Sequence, residues 1–289
     1  MTDAATRPMA WSIRRELWEN RALYIAPPAV AAVFLFGFLL STVRLAHHIH
    51  AAADPDKQRA IVMAPFTFAA GLILMTAFIV AAFYCLDALY GERRDRSILF
   101  WKSLPVSDAT AVLAKAAIPM VVLPPFIYIV IVATQTIVLL LSTMALSGDN
   151  AALALLWTNV KFFQWSVALL YAAVVVTLWY APIYAWLLLV SAWARRAAFL
   201  WAVLPLMTIG IFERMAFGTR YFYLILAERM TGWLTHGFLT RAQGRLPADP
   251  LTALAPIKFS TTPGLWIGLV FAAVFLALTV RLRRYRDPI

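Results

Sequence analysis

The sequence predicts an all-α integral membrane protein with six membrane-spanning helices. Three observations carry that expectation. First, 63% of the 289 residues are hydrophobic and only 13% are charged, about half the charged share of a soluble domain. So few charges could not cover a water-exposed surface, and the mean hydropathy of +0.79 also excludes a disordered chain. Second, six uncharged runs of 22, 27, 33, 33, 16 and 22 residues punctuate the chain. About 20 apolar residues cross a bilayer, so five runs suffice and one is marginal. Third, basic residues gather at the ends of those runs, where they orient spans and meet anionic headgroups.

That third observation also disposes of the net charge of +11, from 25 basic and 14 acidic residues. In a soluble protein such an excess would suggest nucleic acid; here it is a topology signal. Membrane lipids, not nucleic acid, are the expected partners. The single cysteine, Cys85, lies within an apolar run, which excludes an intrachain disulfide or a cysteine metal cage.

The first 21 residues carry Asp3, Arg7, Arg14, Arg15, Glu16, Glu19 and Arg21 without an apolar stretch. No cleavable signal is therefore expected. This segment reads as an amphipathic helix on the cytoplasmic membrane face. At 100° per residue Ala10, Trp11, Ile13, Leu17 and Trp18 fall on one side. Ser12, Arg15, Glu16, Glu19 and Asn20 fall on the other, and Arg14 intrudes on the apolar side, where its stem can snorkel. Pro27-Pro28 is expected to separate this helix from the run that follows.

The spans are placed at 22–44, 60–88, 112–146, 162–193, 197–213 and 260–281. The two 33-residue runs would be roughly 50 Å long as continuous helices, against a hydrocarbon core of about 30 Å. They must tilt, kink or project, and Pro119, Pro124, Pro125 and Pro182 supply causes for kinks. The short run, about 24 Å as a helix, either spans a thinned region or dips in as a broken helix. The outer segment 214–258 includes an aromatic-rich stretch, Phe217 to Phe238, interrupted by Arg220, Glu228, Arg229 and His236. It reads as one or two interfacial helices and not as a seventh span. With the N-terminus inside, the cytoplasmic segments hold most of the Arg and Lys, so both termini are expected in the cytoplasm.

The most informative loop, 91–108, runs Gly91-Glu92-Arg93-Arg94-Asp95-Arg96-Ser97-Ile98-Leu99-Phe100-Trp101-Lys102-Ser103-Leu104-Pro105-Val106-Ser107-Asp108. A short helix from about Glu92 to Ser103 would set Ile98 and Trp101 on one side. Pro105 ends it, and Ser107 can cap the next helix. Such a helix suits docking a soluble partner; a solvated positive-inside loop is the alternative.

The string from Tyr90 to Asp108 resembles the first cytoplasmic loop of the type-2 ABC exporter permeases of bacteria. Glu92 and Arg93 match that family's Glu-Arg pair, and Leu104, Pro105, Val106 and Ser107 match its closing tetrapeptide. Arg96-Ser97 stands where the family often has Gly-Thr. The resemblance implies six spans, an N-terminal interfacial helix, a cytoplasmic coupling helix in this loop, and short re-entrant helices before the last span. It also implies docking of the coupling helix into a separate ATPase, with Arg94, Asp95, Arg96, Ser97, Trp101 and Lys102 of the same loop contributing. Arg195 and Arg196 would form a smaller second contact. Two permease copies, or one with a homologue, would pair with two ATPase subunits in the inner membrane. The chain has no G-x-x-x-x-G-K-[ST], so ATP and Mg would belong to the partner and no cofactor to this chain.

Other residues admit other chemistry. His47 and His50 are spaced i, i+3 beside Asp54 and Asp56, a weak metal pair or a solvated cap. Glu213 follows the short run, where an ion at membrane depth would mark a functional path. Gln135 and Tyr184 lie within spans and could line a pathway or tie helices together. No catalytic grouping stands out, so the chain is expected to be a transport subunit and not an enzyme. The apolar interior suits an amphiphilic or lipid-like cargo. A lipid-processing membrane enzyme centred on Glu213, or a metal-handling permease using the outer histidines, are the alternatives.

Overall fold

A computed structural model describes residues 8–43, 45–51, 54–95, 97, 106–239 and 250–285. Among them there are helices and no strands, and six helices are long and apolar enough to cross a membrane. The chain begins with α1 (Pro8–Glu19), and α2 (Ala22–Thr42) follows after a two-residue break. That break falls at Asn20-Arg21, whereas Pro27 and Pro28 lie inside α2. The sequence expectation put it at the prolines; a proline within the first turns of a helix removes few intrahelical bonds, so it need not divide one.

Helix α3 (Leu45–Ala51) and the long α4 (Pro55–Asp87) come next, α4 starting where Asp54 accepts the Asp56 N–H at 3.0 Å. A short α5 (Tyr90–Arg94) opens the charged loop. The expected helix Glu92–Ser103 falls mainly outside the described residues, as do Arg96, Trp101, Lys102, Leu104 and Pro105. After the loop Ser107 does cap α6 (Asp108–Ala117), its hydroxyl accepting the Thr110 N–H at 3.1 Å. Helix α6 passes through a π-helical turn, Ile118–Val122, into α7 (Leu123–Ala145). Pro119 sits in that wider turn and Pro124 and Pro125 just after it, which gives the long run its irregularity.

A helix not foreseen from the sequence, α8 (Asn150–Asn159), is capped by Asp149 on the Ala152 N–H at 3.1 Å. Then follow α9 (Phe162–Trp193), α10 (Ala198–Phe217), α11 (Tyr221–Gly237), α12 (Pro256–Thr261) and α13 (Pro263–Tyr285). Helix α10 does not end at the charged pair Glu213-Arg214. It continues to Gly218, whose φ of 66° supplies the left-handed C-terminal stop. At 20 residues it is about 30 Å long, long and apolar enough to cross a membrane.

Helix α9 is the central post. It packs on α13, α4, α7, α10 and α11, and Trp179, Ala185 and Leu188 along it are buried. Small residues Ala181, Ala185 and Ala272 bring α9 and α13 together. Trp179 packs against Leu265, and further along Trp186 meets Phe275 with ring centroids 5.6 Å apart. The two helices therefore run in the same direction, with Arg195 and Arg283 at a shared end.

Candidate functional site

Five helices, α1, α4, α5, α6 and α13, meet at that shared end. Glu16 of α1 is 1% exposed. Its carboxylate accepts from Lys115 Nζ of α6 at 2.8 Å, from Arg15 at 2.6 Å and from the Tyr84 hydroxyl of α4 at 3.0 Å. Glu92 of α5, 9% exposed, takes Arg15 at 3.0 Å, Lys115 at 3.1 Å and Arg283 of α13 at 3.3 Å. Asp108 lies 3.9 Å from Arg283 on the far side. Two carboxylates thus serve three cations with shared hydrogen bonds, the condition under which charges tolerate burial. Burial alone would push the Glu16 carboxyl up; Lys115 and Arg15 outweigh it and hold it below its ordinary value.

The base of the loop is fixed to α9 as well. Ser191, fully buried, accepts the backbone N–H groups of Leu89 and Tyr90 at 3.0 and 2.9 Å. Arg93, 4% exposed, donates to the Ala192 carbonyl. Glu92 and Arg93 are therefore turned into the bundle, while Arg94 and Asp95 pair with each other at 3.0 Å in the open. Ser97 donates back to the Glu92 carbonyl at 3.3 Å. Arg195 and Arg196 form an exposed turn at the same end. The turn closes through Ala197 at φ 47°, a left-handed residue with a side chain, and hence a strained one.

The sequence assigned the charged side of α1 to water. In the structure Ile13 and Leu17 pack on the core and Glu16 is buried, while Trp11 and Trp18 point outward. Arg14 lies over both rings, at 5.6 and 4.6 Å from their centroids. The polar residues face the protein because their counter-charges are there. Glu16, Tyr84, Lys115, Ser191 and Arg283 were not singled out beforehand. Each looks ordinary at the end of an apolar run, and only the fold brings them together.

An apolar cavity of about 450 Å³ lies between α4, α7 and α9. Leu74, Phe78, Ile127, Thr177, Tyr180 and Tyr184 line it, with Met230 and Trp233 of α11 at one end. Tyr184 is thus on the cavity wall. Gln135 is not among its lining residues; its amide donates to the Phe66 carbonyl at 3.3 Å and ties α7 to α4. Glu213 also has a positioning task. It accepts from Thr219 at 2.6 Å and from the Tyr221 and Phe222 N–H groups at 2.8 Å each, capping α11.

At the remote end His50 is paired with Asp149, and His47 is exposed on α3. Among the described residues no three His, Cys, Asp or Glu side chains gather as a metal site. His236 is engaged elsewhere, with Glu228 at 2.7 Å and stacked on Trp179.

Comparison with known protein families, with curated proteins and with solved structures finds no match for this chain.

Proposed function

We propose that the chain is the membrane-spanning permease subunit of an ATP-driven exporter, working as a pair with a separate ATPase at the loop 91–108. The observation that carries this reading is the anchoring of the loop's base. Through Glu92, Arg93 and the Leu89 and Tyr90 N–H groups it grips α1, α6, α9 and α13 at once. A force applied to the loop is then delivered to several spans together, which is what a coupling element requires. An unanchored loop would dissipate it. In this reading Glu92 and Arg93 transmit, and the residues beyond them make the contact. The exposed Arg195-Arg196 turn at the same end suits a minor second contact.

The remaining parts take compatible roles. Helix α1, with Trp11 and Trp18 outward, fits an interfacial helix on the cytoplasmic face. Helices α11 and α12, with α11 packed on α9, fit short elements that enter the membrane without crossing it. The apolar cavity suits an amphiphilic cargo. The distribution of basic residues supports an orientation with both termini in the cytoplasm, and the exporter reading places the chain in the inner membrane.

The test is affinity isolation from the native host under gentle extraction, wild type beside Arg94→Glu/Lys102→Glu. A nucleotide-binding protein that accompanies the wild type and is depleted at least several-fold in the variant is the expected result. Absence of any such protein with the wild type would overturn the reading.

A further inference from the structure

Away from the charge network, one arginine is half-buried in a different manner. Arg229 of α11 lays its guanidinium over the face of Trp179, 4.8 Å from the ring centroid, and Trp179 is 2% exposed. The indole N–H donates to the Arg229 carbonyl at 3.0 Å, so backbone and side chain of this residue both grip the ring. The guanidinium fills the space above Gly268 of α13, where any Cβ would overlap it. Its seat is therefore built by three helices, and a glycine on one of them makes the room.

No carboxylate answers this charge. Among the described residues Arg229 makes no ion pair and its guanidinium no hydrogen bond; the neighbouring acid, Glu228, is turned to His236 on the other side of Trp179. Trp179 itself belongs to an apolar cluster with Phe259, Leu265 and Leu269. Gly268 is five residues into α13, which puts the seat about 8 Å below the outer end of that span. Lys258 of α12 donates to the Thr235 carbonyl at 2.7 Å nearby. A guanidinium cannot discharge in such a place. The face of a ring offsets part of the cost of this partial burial without neutralising the charge, and among the described residues no acceptor meets the planar fork of donors.

We infer that Arg229 is the receptor for the anionic headgroup of an amphiphile, with Trp179 and Gly268 shaping its seat. A phosphate or carboxylate would meet the guanidinium in a bidentate pair. An amphiphile fits better than a hydrated free anion, because the approach is apolar and at membrane depth. On the adjacent face of the same helix, Met230 and Trp233 close the 450 Å³ cavity whose wall is hydrocarbon and aromatic, a place for the tail. The inference concerns binding alone. It needs no ATPase, so its fate is separate from that of the permease reading.

The experiment is native mass spectrometry of the delipidated full-length chain titrated with phosphatidylglycerol, phosphatidylcholine or inorganic phosphate. Wild type is expected to bind phosphatidylglycerol in preference to phosphatidylcholine. Arg229→Gln should weaken the anionic lipid about tenfold, with Arg229→Lys in between. Equal binding of the two lipids, or an unchanged affinity in Arg229→Gln, would overturn the inference. Displacement by millimolar inorganic phosphate would overturn the amphiphile in favour of a soluble anion. A measurement on the wild type guards against a misfolded variant: phosphatidylglycerol with a photoreactive headgroup should label peptides from α9, α11 and α13 around Trp179, Arg229 and Gly268. Labelling confined to other helices would contradict the site.

Discussion

At one end of the bundle Arg15, Lys115 and Arg283 meet Glu16 and Glu92; further along, among the described residues, Arg229 meets the face of Trp179 and no carboxylate. The first place buries Lys115 and Arg283 and the second half-buries Arg229, and full burial of an uncompensated ion costs several kcal/mol. The first place offsets that cost internally with carboxylates from α1 and α5. It is architecture, tied to the loop above it. The second, half-buried, has no carboxylate against it among the described residues and is the place for a partner from outside the chain. The difference teaches that burial of charge does not itself mark a binding site; the missing counter-charge does.

The largest effect expected from breaking this comparison is at Glu16. Replacing it by Ala removes the acceptor of Lys115, Arg15 and Tyr84 together, and removal of one partner of a buried pair typically costs about 3–5 kcal/mol. Thermal unfolding in nanodiscs should show it, and a change no larger than that of an exposed substitution would mean the network is not a structural unit. Next comes Gly268→Ala, whose Cβ would overlap the Arg229 guanidinium. The group that must move is the free end of a flexible side chain, so the expected cost is that of an off-rotamer adjustment, about 0.5–1.5 kcal/mol. In the Gly268→Ala/Arg229→Ala double variant most of that cost should vanish, because the clashing group is gone. Simple additivity would show that the guanidinium does not sit there.

A gentler probe of the paired end is pH. The Glu16 carboxyl is held below its ordinary value of 4.5, so its contribution is complete above that value and is lost as pH falls through the lower, folded one. Unfolding midpoints of the wild type should therefore drop on acidification below about pH 4.5, and the drop should be smaller in Glu16→Gln. An equal drop in both would assign the acid sensitivity to other groups. The smallest effect lies at the strained turn beside the charged end: Ala197→Gly should raise stability by at most about 1 kcal/mol. A loss there would mean the left-handed turn is not formed.

Much of the helical layout was legible because its signal is coarse. Uncharged runs longer than the bilayer is thick locate the spans, and Ser107 at the start of α6 is a local cap readable from four residues. The site was legible only in part. The loop beginning at Glu92 stood out by its motif, yet the direction in which Glu92 and Arg93 face depends on Lys115, Ser191 and Arg283, between 22 and 191 residues away. Helical periodicity put Glu16 on a polar side, and nothing local says that this side meets protein instead of water. Arg229 sits in a stretch readable as interfacial, and its importance rests on what Gly268 and Trp179 do across three helices.

The most direct measurement compares thermal stability in nanodiscs of phosphatidylcholine alone and with phosphatidylglycerol, for the wild type, Arg229→Gln and Glu92→Gln. Anything that binds only the folded state raises its unfolding temperature. The anionic lipid should stabilise the wild type, and that gain should shrink in Arg229→Gln. Glu92→Gln should be less stable in both membranes while keeping the lipid-dependent gain undiminished. A gain that survives in Arg229→Gln, or disappears in Glu92→Gln, would contradict the division between a closed charge network and an open one.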